Sequence, residues 1–143
     1  MLPELDESRW PVVVVTMPRE PMQDEEFTDH LNSFAKFWQR GQRFGLVVDV
    51  RAAPPLVAHH RRLVAEYLDR DVEQHPDLLQ GVAIVLSGSL QRGIVSVLSW
   101  LTRKPFNIQT FASVDLAYAW ILRGLAEPIK VSKRPRASAR VVR

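Results

Sequence analysis

Four valines in succession, at positions 12–15, leave a chain few choices. Successive side chains of an extended strand point to opposite faces, so a run that is apolar at every position must be covered on both sides. The segment WPVVVVT (residues 10–16) therefore reads as a strand inside a parallel sheet. FGLVVDV (44–50) and VAIVL (82–86) repeat the pattern. Between these runs the apolar period changes to that of a helix. In residues 24–40, Asp24, Glu25 and Glu26 load the first turn with negative charge, Phe27, Leu31, Phe34 and Trp38 share one face, and Gly41 stands where a C-cap belongs. In residues 56–73 the inner face is Leu56, His60, Leu63, Val64, Tyr67 and Leu68, with Arg62–Glu66 and Glu66–Arg70 pairs outside. Residues 90–103 place Leu90, Ile94, Val97, Leu98 and Leu101 at the same spacing.

A last strand and helix close the series over residues 105–125. Phe106 and Ile108 alternate with Asn107 and Gln109, the pattern of a half-covered strand at a sheet edge over 106–111. Ser113 stands at a helix N-cap, Asp115 suits the first turn, and Ala117, Trp120, Ile121, Gly124 and Leu125 form one apolar face, with Trp120 as a core anchor. Arg123 suits the C-terminal dipole and Pro128 bars further helix.

Strands alternating with helices at this spacing predict a single-domain α/β fold. The expected sheet is mostly parallel, four- or five-stranded, with about four helices joined by right-handed crossovers. A chain of 143 residues that is 46% hydrophobic can build one such core. The domain is expected over residues 1–126, followed by a basic tail over 127–143. That tail holds six basic residues against one acid, so the net charge of +3 belongs to the tail and the body is slightly acidic. Lys133, Arg134, Arg136 and Arg140 could hold nucleic acid or an anionic membrane by charge alone, without an aromatic residue for base stacking.

The chain has no cysteine, which excludes disulfides and thiolate chemistry and fits a reducing compartment. Its opening, MLPELDESRWP, lacks the basic and apolar regions of a signal peptide, and its apolar runs are too short to span a bilayer. A cytoplasmic location is expected. No metal or other cofactor is expected either. Of the four histidines (His30, His59, His60 and His75), adjacent His59 and His60 point about 100° apart on a helix; His60 is expected to pack and His59 to face solvent. Ser87, Ser89, Ser96 and Ser99 lie in no nucleophile-elbow motif. Asp49, at the C-terminal end of a strand, is the best single catalytic candidate, and capping of the following turn is the plainer role for it. Ser87-Gly88-Ser89 leading into a helix with Arg92 one turn in could hold an anion on exposed N–H groups.

The element order, with LDESRWPVVVV, FGLVVDVRA, QRGIVSVLSW and PFNIQTFASVDLAYAWIL, resembles the SpoIIAA-like branch of the STAS superfamily (sulfate transporter and anti-sigma factor antagonist domains) over about residues 4–125. The resemblance implies STAS-like βα repeats and a regulatory module that binds a protein partner in bacterial signalling. Anti-sigma factor antagonists of this superfamily carry a phosphorylatable serine just after a central strand. The matching turn, residues 49–55, has no Ser or Thr, so the implied module lacks the usual phosphoswitch and offers Asp49, Arg51 and Pro54 as contacts. The lipid-binding relatives are larger chains with a dedicated cavity, so no lipid role is implied.

Three functions follow as expectations. The first is a non-enzymatic module binding a protein through Asp49, Arg51, Pro54 and Trp100, the last lying off its helix's apolar face. The second is a small anion- or nucleotide-binding regulator using Ser87, Ser89 and Arg92. The third is a charge-driven nucleic-acid or membrane binder acting through the tail. A homodimer covering the edge strand at 106–111 is compatible with the first.

Overall fold

The computed structural model describes residues 2–88 and 106–127. The expected helix over 90–103, with Ser89, Arg92 and Trp100, and the tail with Lys133, Arg134, Arg136 and Arg140, lie outside the described residues.

The four valines sit as their pattern demands. Strand β2 (Val12–Thr16) lies between β1 (Glu4–Arg9) and β3 (Phe44–Asp49), followed in space by β4 (Leu79–Val85) and β5 (Asn107–Phe111). The strands from β2 to β5 pair in parallel, with Val13 beside Leu46, Leu46 beside Val82 and Val82 beside Ile108. Only β1 runs antiparallel, against β2, making a five-stranded mixed sheet among the described residues. Strand β5 is an edge, as its alternation predicts, with Ile108 and Phe111 half-buried. Strand β1 forms the other edge. Its sequence, ELDESR, is almost wholly polar and carries no strand signal of its own, so the predicted first strand starts two residues early. Trp10 and Pro11 form the turn into β2 instead, with Trp10 stacked on Phe37 and Phe44 and its Nε1–H donating to Gln42 at 2.8 Å.

The predicted helix over 24–40 is two helices, α1 (Asp24–Asn32) and the single turn α2 (Ala35–Trp38). Ser33 divides them: its Oγ–H donates to the His30 carbonyl, an alternative partner that competes with the helical ladder. Gly41 takes the left-handed conformation at φ 65°, as expected of the C-cap. Helix α3 (Ala58–Gln74) follows the Pro54-Pro55 pair, and α4 (Val114–Ala126) starts at Ser113, whose Oγ accepts from the Leu116 N–H at 3.2 Å. No described helix is long and apolar enough to cross a membrane.

The two faces of the sheet are covered differently. On one, Val12, Val14, Val47, Ala83 and Val85 meet Ala117 and Ile121 of α4. Trp120 is half-buried, over Gly81 and beside Phe111, while Ala117 and Ile121 are fully buried. On the other face, Val13, Val15, Leu46, Val82 and Ile84 meet Phe37 and Trp38, with Phe34 and Leu68 packed at the margin. There α3 leans on α1, and of all its residues only His60 is buried. Among the described residues an α/β sandwich results, tighter on the α4 side than on the other.

The tight side makes a quantitative expectation. A Cβ on Gly45 would collide with Cγ2 of Ile121, a fully buried β-branched side chain with no room to turn. A Cβ on Gly124 would meet the Gln80 side chain, whose amide end can swing aside, and alanine improves the helix by about 1 kcal/mol. Gly45→Ala should therefore lower the free energy of unfolding in urea by about 1–3 kcal/mol. Gly124→Ala should change it by less than about 1 kcal/mol, and the reverse order would contradict this packing.

Candidate functional site

Parallel strands end together, and in such sheets the C-terminal edge is where loops and pockets gather. Here the ends of β2, β3 and β4 are laced to one another. The Met17 N–H donates to the Asp49 carbonyl at 3.0 Å and the Val50 N–H to the Val85 carbonyl at 3.0 Å. The chain then turns, with the Ala53 N–H bonded to the Val50 carbonyl at 3.1 Å. Asp49 holds this turn. Its Oδ1 accepts from the Arg51 backbone N–H at 3.1 Å and from Nε at 3.0 Å, while Oδ2 accepts from the guanidinium NH2 at 2.8 Å. Burial pushes the Asp49 carboxyl up, but the hydrogen bonds and charge of Arg51 outweigh it and hold the group below its ordinary value. Both oxygens of Asp49 are thus bound to Arg51, in the turn-capping role.

The turn roofs one end of an apolar cavity of about 190 Å³. Its floor is the loose face of the sheet: Val15, Leu46, Val48, Val82 and Ile84. Phe27, His30 and Leu31 of α1 form one wall, and Val64, Tyr67 and Leu68 of α3 the other. Phe34 and Trp38 close the far end, while Val50, Ala53, Pro54, Pro55 and Leu56 frame the end beneath the turn. Two contacts hold the walls apart. His60 on α3 stacks on Phe27 of α1, ring centres 4.3 Å apart and 9° from parallel, and its Nε2 meets Asp24 Oδ1 at 2.8 Å. An Arg61 guanidinium N–H donates to the Leu56 carbonyl at 2.7 Å and ties the turn to α3.

Polar groups on the lining are few. Asp71 lies beside Arg70 Nε at 3.2 Å, and the Arg70 guanidinium covers the Tyr67 ring. His30 is the deep one. It is 7% exposed, between Phe27 and the edge-on ring of Phe34 5.1 Å away, and no hydrogen bond reaches its imidazole from the described residues. Burial alone lowers its pKa from 6.5 to about 4 and keeps the ring neutral at pH 7.

Of the site residues read from sequence, Asp49, Arg51 and Pro54 come together in the turn, and Pro54 also lines the cavity. Ser87 leaves the same edge of the sheet, two residues beyond Val85, the neighbour of Asp49. Ser89, Arg92, Trp100 and the four tail residues lie outside the described residues. His60 is buried and His59 half-exposed, as expected. His75 stacks on Trp38. Among the described residues no group of three His, Cys, Asp or Glu side chains could hold a metal ion. Sequence reasoning missed the cavity and His30, although His30 lies on the Phe27–Leu31–Phe34 stripe and that position was a signal. The chain matches no protein-family model, no curated protein and no solved structure.

The buried imidazole sets a pH dependence. Above pH 6.5 His30 is neutral whether the chain is folded or unfolded. Between 6.5 and about 4 the unfolded chain takes up a proton that the folded one refuses, so stability falls as pH falls. The full loss is about 3 kcal/mol, reached near pH 4. Thermal unfolding from pH 7.5 to 4.5 should show this decline in the wild type and a flatter profile in His30→Leu. Equal slopes would mean that His30 is not buried as described.

Proposed function

We propose that the chain is a non-enzymatic regulatory module that binds a small apolar molecule between its helices and its sheet. The observation that carries this reading is the apolar cavity of about 190 Å³ under α1 and α3. An apolar pocket with very few polar groups is the usual form of a small-molecule site. Binding rather than catalysis is supported by the state of the polar groups: Asp49 is bound on both oxygens by Arg51, and no carboxylate of the described residues is hydrogen-bonded to His30. Indene, an uncharged bicyclic hydrocarbon, is a suitable probe. It should shift the methyl resonances of Val48, Val64 and Leu68 saturably. Val64→Phe, which puts a ring into the cavity from α3, should abolish the shifts without lowering the unfolding temperature. No saturable shift in the wild type would end this reading.

The turn favours a second, compatible function, that of a STAS-like module binding a protein partner in signalling. Asp49 and Arg51 fix the backbone of an exposed surface that contains Pro54 and Pro55, and the same prolines frame the cavity. An occupant would thus touch the back of the surface that a partner touches from the front. Arg51→Glu turns the pair with Asp49 from attraction to repulsion and should reduce capture of a partner from the native host. Undiminished capture by the variant would count against the turn as the contact.

A further inference from the structure

The cavity is apolar except at a few points, and one of these has no partner within the described residues. His30 is more than nine-tenths buried, lines the cavity and receives no hydrogen bond from the described residues. Among the described residues the fully enclosed polar atom without a partner is Gln80 Oε1, so the His30 nitrogens border accessible space, where an incoming polar group can pair with them. Its neighbours Phe27 and Phe34 present carbon to the imidazole. The other buried histidine, His60, has Asp24 as its partner. An imidazole unmatched by any group of the described residues, on the wall of a space large enough for a molecule, is a hydrogen-bonding handle.

We infer that the cavity takes a neutral, mostly apolar molecule of about eight to ten non-hydrogen atoms that carries one hydroxyl or N–H group, and that His30 is the residue that receives that group. This rests on reading the cavity as a ligand site and adds the chemistry of the ligand to it. The size follows from comparison: a cavity of about 150 Å³ holds benzene, and this one is about 190 Å³. Neutrality follows from the lining. A carboxylate inside would find no cation among the described residues of the wall, would lose water to the apolar side chains, and would face Asp71 across the space. A neutral imidazole, by contrast, accepts a hydrogen bond at one nitrogen and donates at the other. The His30 ring is therefore matched to a phenol, an alcohol or an indole-type N–H, and not to a fatty acid.

Three probes of one shape test this on the whole chain: indene, indole and indole-3-carboxylate. In the wild type indole should bind at least as tightly as indene, although its N–H is more costly to remove from water, and the carboxylate should not compete. In His30→Leu, which keeps the wall apolar, the affinity for indole relative to that for indene should fall about three- to tenfold. A second measurement needs no variant: imidazole 15N resonances of His30 in the wild type should move at one nitrogen on adding indole and stay in place on adding indene. If indene fails to bind the wild type, the cavity is no ligand site and both readings fall. If indene binds but indole leaves the His30 nitrogens unmoved, or loses nothing in His30→Leu, the handle is refuted and the cavity stands. Tight binding of indole-3-carboxylate would refute the neutral ligand.

Discussion

Everything in this structure depends on strands that are apolar on both faces. Val12 and Val14 point to one side of β2, Val13 and Val15 to the other, and β3 and β4 repeat the arrangement. Neither face can meet water without exposing a row of branched side chains, so the chain must supply two covering layers. It supplies them unequally. Helix α4 lies directly on β3 and β4, close enough that Gly45 has no space for a methyl group beneath Ile121. Among the described residues the opposite layer touches the sheet through α2, through Phe34 just before it and through Leu68 and Val72 of α3, and keeps a space in the middle. Among the described residues, one face thus supplies the closer packing, and the other holds the space in which the proposed site lies.

Polar contacts keep that space open in one shape. Edge strand β1 is held to α2 by Glu7, which pairs with Lys36 and Arg40 and whose carboxyl is kept below its ordinary value first by the Lys36 hydrogen bond. The pair is exposed and adds little stability by itself. It does, however, place α2 against Trp10, where the Arg40 guanidinium lies 4.1 Å above the indole. The His60–Phe27 stack and the His60–Asp24 bond join the starts of α1 and α3. The Asp49–Arg51 pair then fixes the turn that frames the remaining end. These ties lie at the ends of helices and strands, around the cavity and not within it.

How much of this is legible in the amino-acid order depends on the range of each interaction. The strands β2, β3 and β4, the edge position of β5, the Ser113 cap and the Gly41 cap are all written in local patterns, because period and capping chemistry act within a few residues. Strand β1 is not, since ELDESR forms a strand only by pairing with β2. The division of the helix over 24–40 turns on one hydroxyl, that of Ser33, choosing the His30 carbonyl over water. The turn at 49–55 could be named from its place after a strand. The cavity could not, because it depends on how far α3 stands from the sheet, a distance that no periodicity encodes. His30 carried a weak signal, a titratable side chain on an otherwise apolar stripe, but that no described residue pairs with it is visible only in three dimensions.

The cost of the cavity bears on its meaning. A sealed void forgoes roughly 24 cal/mol per Å³ relative to a filled core, and this space, which is partly open, forgoes less. A domain of this length has about 5–15 kcal/mol of stability in all. The means of filling the space are simple: Val48 and Val64 point at it and either could carry a larger side chain, while His30 could be leucine and lose its unpaired nitrogens. A chain that packs Gly45 and Ile121 to contact on one face does not lack the means to pack the other. The looseness around His30 is the ground for the proposed occupant, and an imidazole that no described residue matches is the ground for the kind proposed: one that brings a single polar group and is otherwise apolar.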